Sequence, residues 1–250
     1  MKTLDLKQEW LRKLLPEGFP YPSSTLISGP GGTGKPLVVF AFVASWLKAG
    51  GNVIGIPLQY PNTDFVKISM KKLYNLDVDE YHNSISYIQF DPKIEGLDIV
   101  EDGVLKANLL KPEIWDRALE ESKENLKDNE IGVLIFASAL NLLLFSPTYK
   151  NSILRKIDDL LKNSGDETFI FSVSTSAFKE DIQLWEKSAD NLLFTRMEKP
   201  MKLFLHIDRM RDIKFLDDEI NVPISQDVLE DIKIIAEHTR ARIIPLVSKI

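Results

Sequence analysis

Gly29-Pro30-Gly31-Gly32-Thr33-Gly34-Lys35-Pro36 is the stretch on which the reading of this chain turns. It follows the phosphate-cradling pattern G-x-x-x-x-G-K-S/T at every required position but the last, where Pro36 replaces Ser or Thr. The run Ser24 to Ser28 before it is strand-like, and the run Pro36 to Ala49 after it is helical and apolar nearly all round. Strand, glycine-rich loop and helix in that order give the motif structural meaning. Backbone N–H groups and a lysine gathered at a helix N-terminus suit a phosphate, so Gly29, Pro30, Gly31, Gly32, Thr33, Gly34, Lys35 and Pro36 are the candidate nucleotide-binding residues.

Outward from the loop, the chain alternates strands and helices. Toward the N-terminus, Leu4, Leu6, Trp10, Leu11, Leu14 and Leu15 are spaced like one face of a helix, and Pro16 to Pro22 breaks regular structure. Toward the C-terminus, Gly50-Gly51 ends the loop's helix. Strands are expected at Val53 to Leu58, Ile85 to Phe90, Ile131 to Phe136, Thr168 to Val173, Asn191 to Thr195 and Leu203 to Ile207. Helices are expected at Asp64 to Tyr74, Pro112 to Leu126, Lys150 to Leu161 and Gln226 to His238. Asp91 to Lys111 reads as an irregular insertion, and Arg242 to Ile250 as a short apolar tail. The expected fold is α/β, with a mostly parallel sheet covered by helices on both faces. No repeat, low-complexity tract or linker interrupts it, so residues 1–250 are read as one domain: a leader over 1–22, a core over 23–215, and a terminal helix with its tail over 216–250.

Composition narrows the function classes. A chain of 250 residues, 44% hydrophobic and 27% charged, can bury a large core. Its formal net charge of −6 does not favour a general nucleic-acid binder. There is no cysteine, which excludes disulfides and thiolate-bound zinc and fits a reducing, cytoplasmic setting. The start MKTLDLKQEW lacks the apolar centre of a signal peptide, and no run of about 18 apolar residues points to a membrane span. His82, His206 and His238 have no ligand-spaced carboxylate, so no metal is expected on them.

Several stretches taken together resemble the RecA superfamily, in particular its single-domain archaeal KaiC-like and RadA-like group. The match runs from about Leu11 to Phe215. The family's leader, of the type LDELLGGGIP, reads here Leu11-Arg12-Lys13-Leu14-Leu15-Pro16-Glu17-Gly18-Phe19-Pro20. The loop and its glycine-ended helix follow. The late KMRG element reads Arg209-Met210-Arg211-Asp212. The resemblance implies a RecA-like P-loop fold and ATP or another nucleotide as ligand. It also implies that Arg209 and Arg211 are candidate inter-subunit residues, since in ring-forming relatives these positions reach a neighbour's nucleotide.

The same resemblance implies three catalytic positions, and this chain departs from each. The residue after the loop lysine holds magnesium through a hydroxyl; Pro36 has neither hydroxyl nor N–H. The apolar strand that ends VVIDS in the family reads Val133-Leu134-Ile135-Phe136-Ala137-Ser138, with Phe136 in the aspartate's place. The catalytic glutamate of a stretch like VIYVSFEEP gives way to Gln59, an amide that orients water but is a poor proton acceptor. No acidic residue lies between Ile131 and Lys150 to rescue the strand by a shift of register.

Three functions remain open from the sequence. The first is a pseudo-ATPase that holds nucleotide phosphate weakly or not at all, without a firm magnesium site, and serves a regulatory, scaffold or assembly role with a protein partner or with itself. The second is an active ATPase of the DNA-repair or KaiC-like type, its magnesium ligands rerouted to Asp91 or Asp208. The third is a protein- or peptide-binding module using the N-terminal helix or the apolar tail.

Overall fold

A computed structural model describes residues 2–60, 63–100 and 104–250, the side chain of Val100 excepted. The chain opens with β1 (Lys2–Leu4), α1 (Glu9–Leu14) and β2 (Phe19–Tyr21), the two strands pairing antiparallel. Then come β3 (Ser24–Ser28), α2 (Lys35–Lys48), β4 (Asn52–Pro57), α3 (Asp64–Tyr74) and β5 (Ile85–Phe90). Next are β6 (Leu97–Val100), β7 (Val104–Ala107), α4 (Pro112–Glu124), β8 (Val133–Ser138), α5 (Lys150–Lys162) and β9 (Thr168–Ser172). The chain closes with α6 (Lys179–Ser188), β10 (Asn191–Glu198), β11 (Lys202–Arg209), β12 (Ile220–Asn221), α7 (Gln226–Thr239) and α8 (Ile244–Val247).

Ten strands form one sheet in the order β12-β11-β10-β3-β9-β8-β4-β5-β7-β6. Pairing is parallel from β10 across to β7 and antiparallel at both edges. The central parallel strands β4, β8 and β9 are largely apolar because helices cover both of their faces. α1, α2, α3 and α7 pack on one face, and α4, α5, α6 and α8 on the other. The sheet is thus the mostly parallel α/β sheet expected.

β3 is buried along its whole length and sits between β9 and β10. Polar groups secure its start. Ser24 N–H donates to Asp190 Oδ2 at 3.0 Å, and the Ser24 hydroxyl to the Leu161 carbonyl at 2.6 Å. Asn191 Nδ2 donates to the hydroxyls of Ser23 and Thr25 at 3.0 and 2.9 Å. Buried polar groups satisfied this fully hold one register. α2, rooted directly after the loop, buries nearly every side chain; its Pro36 lies in the first turn, where a helix needs no N–H.

Some expectations are corrected. The helix foreseen over Leu4 to Leu15 is only Glu9–Leu14, because Lys2–Leu4 pairs with the distant Phe19–Tyr21 instead. The stretch read as an irregular insertion contains β6 and β7, which extend the sheet beyond β5. Residues 101–103 of that stretch lie outside the described residues. The strand foreseen from Ile131 begins at Val133. A 3-10 turn over Leu140–Phe145 and α8 within the apolar tail were not foreseen as elements.

Candidate functional site

The C-terminal ends of β3, β4, β8 and β9 meet around a cavity of about 490 Å3, where ligands of open parallel sheets bind. The loop residues Gly31 to Pro36 form its floor, and Ser172, Ser174 and Ser176 after β9 stand on one side. Asn141, Leu142 and Phe145 after β8 stand on another, with Gln59 and Tyr60 after β4. The roof is α7, through Leu229, Ile232, Lys233, Ala236 and Glu237, with Arg240 at its end. Tyr60 stacks on Phe65, their ring centroids 3.9 Å apart.

The floor has the geometry its glycines permit. Gly32 and Gly34 take left-handed backbone with φ of 76° and 63°, which glycine adopts without strain. Gly29, at φ 148°, passes so close to β10 that a Cβ would stand 2.3 Å from the Thr195 carbonyl oxygen. Gly31 donates its N–H to the Ser176 hydroxyl at 2.9 Å. Lys35, 6% exposed, turns its ammonium back onto the loop. It donates to the carbonyls of Gly29 at 3.0 Å and Pro30 at 2.5 Å, and to Thr33 Oγ1 at 3.1 Å. Burial pulls its pKa down to about 8. Thr33 Oγ1 also shares a 2.8 Å hydrogen bond with Thr195 Oγ1.

Of the residues singled out in the sequence, the structure brings the loop and Gln59 to one cavity. Phe136 is not there. It is 1% exposed, and its ring packs edge-on against Phe40 of α2, centroids 5.9 Å apart. Two residues on, at the end of β8 on the same face, stands Ser138, whose buried hydroxyl has no hydrogen-bond partner. Gln59 is engaged by its own chain: with its amide assigned so that the oxygen faces the Arg240 guanidinium, that oxygen accepts from Nε at 3.2 Å and Nη2 at 2.6 Å.

Arg209 and Arg211 lie at the opposite end of the strands from the loop, beside the start of β10. Arg209 Nη2 donates to the carbonyls of Glu186 and Ala189 at 2.7 and 2.8 Å. Arg211 Nη1 pairs with Asp190 Oδ2 at 3.2 Å. Asp91 and Asp208 do not line the cavity; Asp91 Oδ1 instead accepts the N–H of Lys93 at 3.0 Å.

Sequence reasoning missed α7 as the roof, and with it Lys233, Glu237 and Arg240. The signal available was spacing alone: residues 229, 232, 233, 236, 237 and 240 share one helical face.

The fold implies magnesium beside a nucleotide phosphate, and the donor set does not fit it. Magnesium takes hard oxygen ligands in near-octahedral geometry, normally with at least one carboxylate. Pro36 offers no oxygen from its side chain, and β8 ends in a neutral serine. Glu237, on the far wall, is the one carboxylate on the cavity among the described residues. The loop keeps the shape of a phosphate cradle, with the Gly31 N–H engaged by Ser176 and the Lys35 ammonium by the loop's own oxygens.

No protein-family profile and no curated protein matches the sequence. Solved structures do match. A KaiC-like protein from the hyperthermophilic archaeon Pyrococcus horikoshii OT3 aligns with TM-score 0.65 and 14% identity, over 90% of this chain and 95% of that one. The flagellar accessory protein FlaH from Methanocaldococcus jannaschii aligns with TM-score 0.66 and 18% identity, over 89% of this chain and 94% of that one. No helix among the described residues is long and apolar enough to cross a membrane. At these identities the likeness speaks for architecture: the chain has the RecA-like P-loop fold of these two archaeal proteins.

Proposed function

We propose that this chain is a single-domain, RecA/KaiC-like pseudo-ATPase. It holds nucleotide phosphate weakly or not at all, does not hydrolyse it, and acts in regulation, scaffolding or assembly with a protein partner or a second copy. The observation that carries the reading is the simultaneous loss of both magnesium groups and the general base around a cradle that keeps its shape. Phosphoryl transfer depends on positioning and on charge neutralisation by metal. Here Pro36 has no hydroxyl, Phe136 is core, and Gln59 accepts from Arg240. Lys35 and the Gly31 N–H are already satisfied by the chain itself, so a phosphate must displace those contacts, which weakens its binding. That one structural neighbour is a flagellar accessory protein agrees with an assembly role. The reading with rerouted magnesium ligands loses support, because neither Asp91 nor Asp208 reaches the cavity.

The test is phosphate release from ATP with and without magnesium, run beside Lys35→Ala. Background release in both proteins is expected. Magnesium-dependent turnover that disappears in Lys35→Ala overturns the proposal.

A further inference from the structure

The cavity lacks the metal side of a phosphate site, yet the wall facing the loop carries cations. Lys233 and Arg240 line it from α7, and Lys35 lines it from the floor, against Glu237. On α7 the apolar residues Leu229 and Ile232 are buried, while Lys233, Glu237 and Arg240 are exposed at the mouth. Lys233 Nζ stands 3.8 Å from Glu237 Oε1, with both side chains more than 60% exposed, so their attraction is weak. Arg240 directs Nε and Nη2 at the neutral amide oxygen of Gln59, a contact that does not cancel its charge. The stacked rings of Tyr60 and Phe65 supply an apolar wall on the same cavity.

We infer that this cavity binds a phosphate ester without a divalent metal, the loop N–H groups and Lys35 holding it from the floor and Lys233 and Arg240 from the roof. The inference rests on the reading that Pro36 and Phe136 leave no metal position, and it adds the ligand chemistry and two binding residues. Magnesium ordinarily neutralises phosphate oxygens that a loop and one lysine leave exposed. Two side-chain cations can take that part, and a guanidinium does so with two parallel hydrogen bonds. The C-terminal end of α7 itself disfavours an anion. The attraction from the roof therefore comes from its side chains, and removing their charge is measurable.

The test is titration calorimetry with inorganic pyrophosphate, ADP and ATP, each in EDTA and each in magnesium. Binding of at least one of them in EDTA is expected, with an affinity that magnesium does not improve. Arg240→Gln and Lys233→Gln should each weaken it by roughly tenfold, as loss of a charge-assisted contact does, with melting temperatures kept as a check on folding. Lys233 pairs with Glu237 and is not one of the groups that attach Gln59 to the end of α7, so its variant separates ligand binding from that attachment. Equal affinity for pyrophosphate and ADP assigns recognition to the phosphates. Tighter ADP adds the apolar wall, and both outcomes support the site. Binding only with magnesium, no binding in any arm, or unchanged affinity in both variants overturns it. Absence of binding leaves the loss of hydrolysis standing, whereas magnesium-dependent hydrolysis overturns the proposed function instead.

Discussion

Arg240 donates through Nη2 to the side-chain oxygen of Gln59 at 2.6 Å, and the next residue, Ala241, donates its N–H to the Gln59 carbonyl at 2.7 Å. The position that the resemblance assigns to a water-activating glutamate therefore pins down the end of α7.

Gln59→Glu should turn this contact into an ion pair. The expected outcome is a gain of up to about 1 kcal/mol in unfolding free energy, the range of half-exposed ion pairs. Phosphate release should stay at background, because a base alone does not replace the metal groups. Denaturant melts and a release assay on the same preparation check both halves.

Lys35 makes stability depend on pH in a defined direction. Its folded pKa, about 8, lies below the ordinary lysine value of 10.5 because burial penalises the ammonium. Between those values the unfolded chain binds more protons, so this group's contribution to stability rises with pH there. Relative to Lys35→Met, the wild type should gain on the order of 1–3 kcal/mol between pH 8 and pH 10.5. Parallel denaturant titrations across that range measure the difference, and a flat difference removes the claim.

Phe136 predicts that catalysis cannot be restored by one substitution on β8. Phe136→Ala should cost about 3–5 kcal/mol, as large-to-small changes in well-packed cores do. Phe136→Asp should cost more, since it buries a carboxylate against Phe40, and should yield little folded protein. Circular dichroism and soluble yield distinguish these outcomes from a tolerated, active variant.

Ile232 tests the roof. It is 3% exposed on the inward face of α7. Ile232→Ala should destabilise by about 2–5 kcal/mol and increase binding of a hydrophobic dye as the cavity opens. A surface change on the same helix, Ile234→Ala, starts from 54% exposure and should change neither.

What the sequence reveals follows from how local each signal is. β8 and β9 are legible because a strand buried on both faces is a largely apolar run, and β3 because it leads directly into the glycine-rich loop. The loop is legible because its glycines meet backbone demands at fixed spacing. β6 and β7 are not: Leu97-Asp98-Ile99 and Val104-Leu105-Lys106 mix polar and apolar residues, and their strand state comes from pairing with each other and with β5. β1 is missed for the same reason, its partner being Phe19–Tyr21. Phe136 is legible as a missing carboxylate, but only the fold places its ring against Phe40 and leaves Ser138 at the strand end. α7 reads as an ordinary amphipathic helix, because spacing shows that a face is covered and not what it covers.

The two sides of the cavity are held in different ways. Asp190, Asn191 and the Leu161 carbonyl clamp Ser23, Ser24 and Thr25, so the strand that leads into the floor is fixed in register at the end away from the loop. α7 is held by Leu229, Ile232, the Lys72–Asp231 pair and the Gln59 attachment, with its outer face in solvent. The cavity thus lies between a strand enclosed by two neighbours on one side and a helix with a solvent-facing back on the other, so substitutions on the outer face of α7 can be made without disturbing the floor.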